Sequence, residues 1–373
     1  MSVTLAPTPT TDTERRDALA ERLFNGLLES MEVLSVHLGL ELGLYAALWT
    51  DGPATPPELA ARARIHPRYA REWLEQQAAA GVLDVVAVGV HGDDDPDVRC
   101  FELPAGHAET LLDPDSPAAA TTVGANIIGI VGVIDTVAAA YRSGGGVSFA
   151  DFGAGIRHGI GGMNRPMFTN DTASWIAAAP GVDQRLRSLP APRILDVGCG
   201  TGWSSIALAR AYPRATVHAV DLDEASVTEA HRNAVAAGVA DRVTFAVQDA
   251  ATLDAGDGTF DLACVFEAIH DMGDPVGALQ HIRGVLADGA SLVVADERVA
   301  DHFSAPAEWN DRLMYAFSVV HCLPATMAEH PTVATGTVMR ASTMRRYGTE
   351  AGYASIDELP VENDFWRLYQ LVP

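Results

Sequence analysis

The sequence predicts an α/β protein in which a doubly wound parallel sheet follows a mostly α-helical N-terminal region. Three observations carry this. From Arg193 onward, short β-branched runs alternate with helical stretches. A glycine-rich turn, Gly198-Cys199-Gly200-Thr201-Gly202, falls where the first of those strands feeds a helix. Before residue 110, apolar residues recur at helical spacing and two strand-like runs come last.

The first twelve residues are rich in Pro and Thr and read as a disordered terminus. Between Thr13 and Trp49, Leu19, Leu23, Leu27, Met31, Leu34 and Leu38 keep helical spacing, which predicts two helices. Asp51-Gly52-Pro53 is a turn. Thr55 caps a short helix whose first turn holds Pro56, Pro57 and Glu58. His66-Pro67 breaks it, a helix from Arg68 to Ala80 follows, and Gly81 ends that helix. Residues 82–88 and 98–103 read as strands around the acidic loop His91–Asp97. Helices followed by a two-stranded wing give the order of a winged-helix domain. It is expected to dimerise or to cover a substrate.

Residues 111–190 read as a helical, glycine-rich connector lining a pocket. Its apolar stretch Ser116–Ile134 is expected to be a buried or subunit-interface helix. The run Ser143–Phe168 is read as a loop that moves over a site, because many Gly let backbone approach a ligand. Residues 191–373 hold the strand and helix alternation and close with a hairpin near the C-terminus. The expected domains are therefore 1–110, 111–190 and 191–373.

Composition narrows the function. The chain of 373 residues carries 49 acidic residues against 25 basic ones, a net charge of −24, and every basic residue is Arg. Residues 1–110 hold 8 Arg and 18 acidic residues, a net −10. A helix reading DNA needs a positive face, so nucleic acid is disfavoured as a partner. The four Cys are far apart and form no CxxC pair, which argues against a disulfide framework and a thiolate zinc site. The N-terminus has no apolar core of a secretory signal, and no span suits a membrane. A soluble, cytoplasmic, reduced protein is expected.

The motif Asp196-Val197-Gly198-Cys199-Gly200-Thr201-Gly202 carries the chemistry. Its third Gly comes one position too early for a dinucleotide fingerprint, and a P-loop needs a Lys that this chain lacks. Asp221 ends the second strand, where a carboxylate accepts hydrogen bonds from ribose hydroxyls. Asp249 ends the third, where it can accept from an exocyclic adenine amine.

These residues resemble motif I of the class I S-adenosylmethionine-dependent methyltransferases, D/E-x-G-x-G-x-G. The resemblance implies a Rossmann-like seven-stranded sheet and S-adenosyl-L-methionine as cofactor. It implies that Asp196, Gly198, Gly200 and Gly202 serve the methionine part, Asp221 the ribose, and Leu222, Asp249 and Ala250 the adenine side, and Phe266 is also expected among the cofactor residues. A finer likeness follows. Ala268-Ile269-His270-Asp271, then Pro275 and a helix, then Val294-Ala295-Asp296-Glu297, resembles small-molecule O-methyltransferases with an N-terminal winged-helix dimerisation domain. In that family the His is the general base. The resemblance makes His270 the base, assisted by Asp271, and Glu297 an orienting carboxylate, with Glu329 near the place of a second. Met272 departs from the family's Trp, and Cys199 from a frequent Gly.

Met163-Asn164-Arg165-Pro166-Met167 is similar to an element that lines the family's pocket. Asn126, Met163, Asn164, Met167, Phe168, Trp175, Tyr315 and His321 are the expected substrate residues. The leading expectation is O-methylation of a small molecule in specialised metabolism by a homodimer. One alternative is a metal-assisted C-methyltransferase, for example on an α-keto acid, with His270, Asp271 and His321 as ligands. Others are a regulator that senses the cofactor, and a cofactor-assisted rearrangement.

Overall fold

The computed structural model describes residues 11–87, 95–254 and 259–373, so the tail before residue 11 and part of the acidic loop 91–97 lie outside the described residues. The chain divides into two units, Met1–Gly124 and Ala125–Pro373. The sequence reading places its divisions at 110 and 190 instead. Residues 125–190 belong to the sheet unit, because Phe168, Trp175, Ile176 and Leu186 share one apolar core with strand residues such as Ile194, Leu262 and Val293.

The first unit runs α1 (Asp12–Glu41), α2 (Leu44–Asp51), α3 (Pro56–Ala63), α4 (Pro67–Ala79), β1 (Asp84–Ala87), β2 (Cys100–Glu102) and α5 (Ala105–Leu112). Thr55 and Glu58 form the capping box that starts α3, with proline in its first turn. His66 caps α4 through its side chain, so the His-Pro pair both ends one helix and starts the next. β1 and β2 pair antiparallel as the wing. Leu44, Tyr45, Leu59, Trp73, Leu74, Phe101 and Leu103 form the core. Arg68 pairs with Glu72, Arg71 with Asp97 and Arg99 with Glu75, so α4 presents mixed charge rather than a cationic face. On α1, Leu19, Leu23, Phe24, Leu27, Leu28 and Met31 are all exposed.

The second unit opens with α6 (Val123–Gly132, whose first residues fall in the first unit), α7 (Ile134–Ser143), α8 (Gly153–Ala178) and α9 (Val182–Ser188). The apolar stretch 116–134 is thus not one helix, since α6 starts only at Val123 and Val133 interrupts it before α7. The run 143–168 is corrected too. Most of it is the 26-residue helix α8 rather than a loop. Its glycines serve close helix packing. A Cβ on Gly155 would lie 2.9 Å from the backbone of Gly129, and one on Gly159 would lie 2.2 Å from the Asn126 side chain. Helix propensity disfavours Gly, but tertiary packing overrides it.

The alternation from Arg193 gives β3 (Arg193–Val197), α10 (Trp203–Ala211), β4 (Thr216–Asp221), α11 (Glu224–Ala236), β5 (Val243–Val247), β6 (Phe260–Phe266), α12 (Pro275–Gly284) and β7 (Leu286–Glu297). After these come α13 (Trp309–Phe317), a single π-helical turn (Ser318–Cys322), α14 (Leu323–Thr326), α15 (Ala341–Glu350), β8 (Ser355–Glu358) and β9 (Trp366–Val372). The strand order is β5-β4-β3-β6-β7-β9-β8. β3 to β7 pair parallel and β9 runs antiparallel between β7 and β8. The order reverses between β3 and β6, which makes the C-terminal edge there the place where open α/β sheets bind ligands. Among the described residues no single helix is long and apolar enough to cross a membrane.

Candidate active site

The glycine turn sits at this switch point. Gly198, Gly200 and Gly202 have φ of +71°, +50° and +84°, a region that residues with a Cβ rarely adopt. A Cβ on Gly198 would lie 2.5 Å from that of Ala268, so the turn rests directly on the chain leaving β6. A Cβ on Gly200 would meet nothing within 4 Å, which leaves that stretch of backbone open to a ligand. From above, Gly161 of α8 comes so close to the turn that a Cβ would lie 2.3 Å from Thr201 Oγ1.

Asp196 is buried beneath the turn. Its carboxylate accepts hydrogen bonds from Ser204 Oγ at 2.6 Å and Ser205 Oγ at 2.5 Å, which fastens the first turn of α10. Burial raises its pKa to about 6 while the two hydroxyls pull it back down. Asp196 therefore shapes the site through α10. Asp221 accepts from the backbone N–H of Gly200 at 2.8 Å and of Asp223 at 2.9 Å, holding the turn open at the tip of β4. Leu222 beside it is exposed. Asp249 accepts from the Ala251 N–H at 2.8 Å, which places buried Ala250 just past the end of β5. Phe266 packs with ring centroids 5.8 Å from both Phe168 and Trp175, in the core cluster that also holds Cys199 of the turn.

His270 follows β6 by four residues and is 1% exposed. Its Nδ1 donates to Asp296 Oδ1 at 3.0 Å and lies 3.0 Å from Glu297 Oε2, while Nε2 is 3.4 Å from Asp271 Oδ1. Asp296 and Glu297 come from the end of β7, the neighbouring strand, so sheet register delivers them. Burial works against a charged imidazole, but Glu297, Asp271 and Asp296 more than offset it, and the His270 pKa is raised well above 6.5. Burial likewise pushes Glu297 up to about 8. The pair shares its protons as a unit. Glu329 does not join them. It accepts from the Gly273 N–H at 2.8 Å and pins the chain just beyond Asp271.

The expected substrate residues divide. Asn164 is buried and its amide donates to Glu267, beside the His270 cluster. Met163 is exposed and its sulfur takes the Asn126 amide at 3.8 Å, while Asn126 lies buried under α8. Met167 packs against the core. Phe168 and Trp175 are core residues, because they fill the space between α8 and the sheet. Tyr315 accepts a hydrogen bond from Arg340 at 3.1 Å. His321 is fully buried in the π-helical turn, with Phe152 edge-on at 4.6 Å, Nδ1 3.3 Å from Cys322 Sγ and, among the described residues, no partner on Nε2. Burial lowers its pKa.

The alternative metal triad does not assemble as expected. Among the described residues, the candidate ligand atoms within 4.8 Å of one another are those of His270, Asp271 and Cys322, or of His270, Asp296 and Glu297. His321 is in neither group. Burial holds the Cys322 pKa up at about 12, so it is a thiol rather than a thiolate ligand.

Two residues of the cluster escaped the sequence reading as site members. Asp296 is the hydrogen-bond partner of His270 Nδ1, and its signal was the second acid in the strand ending Ala-Asp-Glu. Glu267 carries a φ of +55° at the mouth of β6, and its only signal was a charge interrupting the apolar run Cys264-Val265-Phe266.

A glycine turn at the switch point and an acid at the tip of the next strand define an α/β domain built for an adenosyl-type cofactor. Residues 194–289 match the family model described as a methyltransferase domain, and residues 30–112 match the Rv2258c-like winged HTH domain. The chain thus carries a methyltransferase domain behind a winged-helix domain. It is 33% identical over 125 residues to the O-methyltransferase resE of Aspergillus sclerotiorum, a match covering 34% of this chain and 47% of that protein. The chain spans about half the length of this curated relative. The mitomycin 7-O-methyltransferase MmcR has the same fold, with a TM-score of 0.66, 20% identity, and coverage of 96% of this chain and 99% of that one. So does human N-acetylserotonin methyltransferase, solved in complex with SAM, with a TM-score of 0.66, 15% identity and 99% of both chains covered.

Proposed function

We propose that this protein is an S-adenosylmethionine-dependent O-methyltransferase acting on a hydroxylated small molecule. The observation that carries the reading is the contact of Gly198 with Ala268. It sets the cofactor turn against the same short segment that bears His270, so donor site and base share one corner of the sheet. The residues fit the cofactor. The open face at Gly200 suits close backbone approach, and Asp221 at the tip of β4 offers a carboxylate to ribose hydroxyls. The chemistry the group supplies when bound is a methyl on a sulfonium, open to in-line displacement by oxygen.

The chain's own residues then have three tasks. The turn and α8 hold the reactants in line, which supplies much of the acceleration. His270 takes the acceptor's hydroxyl proton at Nε2 once the cluster has lost its own, as a phenol with pKa near 10 needs. Asp296 and Glu297 hold Nδ1 and fix the ring. His270→Ala should lower the rate by roughly 10²–10⁴-fold, the usual yield of a general base, while S-adenosylhomocysteine still binds. A rate within a few-fold of wild type would remove His270 from the role. If neither S-adenosylmethionine nor S-adenosylhomocysteine binds the purified protein, the cofactor reading itself fails.

The same reading makes the protein a homodimer through the exposed apolar residues of α1. Light scattering should give twice the chain mass for wild type and the chain mass for Leu23→Asp with Phe24→Asp. A wild-type monomer would overturn it.

A further inference from the structure

The mechanism above gives no task to Glu267, yet the fold spends a strained conformation on placing it. Glu267 has φ +55°, a region that residues with a Cβ rarely occupy, and strain of this kind gathers at functional sites. Its own N–H still donates to Ala295 at 2.8 Å, so the backbone is tied to β7 and the odd φ turns the side chain rather than ending the sheet. The carboxylate takes the Asn164 amide from α8. The next residue, Ala268, is the one that the glycine turn rests on. Glu267 therefore lies in the segment between the cofactor turn and the imidazole.

Charge singles it out further. Glu267, Asp271, Asp296 and Glu297 face one another around His270, and among the described residues no guanidinium forms an ion pair with any of them. His270, Asp296 and Glu297 are sealed in, whereas Glu267 keeps some exposure. An uncompensated carboxylate in such a place either takes a proton or takes a cation.

We propose that Glu267 is the counter-charge for the donor's sulfonium, so that the site prefers the cationic donor over the neutral thioether that remains after transfer. The inference rests on the cofactor reading above. It adds a device for turnover: once the methyl has left, the cation that paired with Glu267 is gone and the spent cofactor is held less tightly. Burial and the nearby Glu297 push the Glu267 carboxyl well above its ordinary range. A cation beside it favours the ionised form, so any proton the carboxyl holds passes to solvent. Glu297, His270, Asp271 and Asp296 face the same space and share in that uptake.

The test measures binding rather than turnover. Isothermal titration of the full chain would use three ligands: S-adenosylmethionine, S-adenosylhomocysteine, and sinefungin, whose ammonium replaces the methylsulfonium. Wild type should bind both cationic ligands about tenfold or more tightly than S-adenosylhomocysteine. In buffers of different ionisation enthalpy it should release a proton with the cations only. Glu267→Gln keeps the shape and the contact with Asn164 but removes the charge. It should bring the three affinities to within about threefold and abolish the proton release. Equal wild-type affinity for the three ligands overturns the proposal, as does a Gln variant that keeps the preference. Because the wild-type ratio is itself diagnostic, an unfolded variant does not rescue the idea. If none of the three binds, the cofactor reading falls instead.

Discussion

Two buried carboxyl sites stand at the C-terminal edge of the same sheet and are treated in opposite ways. At β3, Asp196 receives two serine hydroxyls and stands at the start of α10, where the helix dipole favours an anion. At β7, Glu297 lies 3.0 Å from His270 Nδ1, yet among the described residues its Oε2 has no well-formed hydrogen bond and Asp296 Oδ2 has no partner. Both sites are buried, so burial does not separate them. Satisfaction does. A carboxylate with its partners supplied fastens a helix, whereas one left short of partners stays ready to exchange a proton. Asp196 is held at about 6 and Glu297 at about 8, which follows the same order.

The sharpest way to break the comparison is Glu297→Gln, after the His270 truncation already described. Removing this acid takes away the first of the groups that raise the His270 pKa. The rate should rise with pH along a limb set by the cluster's deprotonation. In the variant that limb should move to lower pH by about one unit, and the plateau should fall about tenfold because a less basic imidazole is a weaker base. An unchanged limb would show that Glu297 is scaffold, like Asp196. Stability reports on the same residue. A carboxyl whose folded pKa is raised contributes stability that is present below its unfolded pKa and is lost as pH rises through the folded value. For Glu297 that window runs from 4.5 to about 8. Urea unfolding of wild type should weaken across this range, and the Gln variant should show a flatter dependence.

The comparison also explains what was legible in the sequence. The cofactor half is written locally, because a turn with three positive φ angles needs Gly at fixed offsets and an acid after the next strand. Gly198, Gly200, Gly202, Asp221 and His270 follow from such patterns. The partnerships around His270 are written across strands, and register between β6 and β7 is invisible until the sheet is built. Asp296 was missed for that reason, and Glu267 because a left-handed residue leaves no mark in side-chain pattern. α8 failed in the other direction. Five glycines between Gly153 and Gly162 read as a loop by propensity, yet Gly155 and Gly159 let that helix cross α6 closely and Gly161 lets it approach Thr201 of the cofactor turn. Phe168 and Trp175 read as pocket walls and Phe266 as a cofactor residue, and the three aromatic rings meet one another in one core cluster.

Ser204→Ala is the gentlest test, and it probes the satisfied side. The variant leaves Asp196 with Ser205 at 2.5 Å and with the start of α10, so the loss should be that of one hydrogen bond, about 0.5–1.5 kcal/mol. In thermal unfolding this is a fall of about 2–4 °C for a unit of this size. The sign with pH is the informative part. Asp196 has a folded pKa raised from 3.8 to about 6, so its contribution is complete below 3.8 and declines as pH rises through 6. The hydroxyls soften that decline, because they bind the anion better than the acid. Removing one should therefore cost more at pH 8, where Asp196 is charged, than at pH 5, where it is largely protonated. The pH–rate limb should not move, since Ser204 and Asp196 make no contact with His270. A penalty equal at both pH values would mean that Ser204 merely fills space, and that Asp196 draws its stability from the helix start alone.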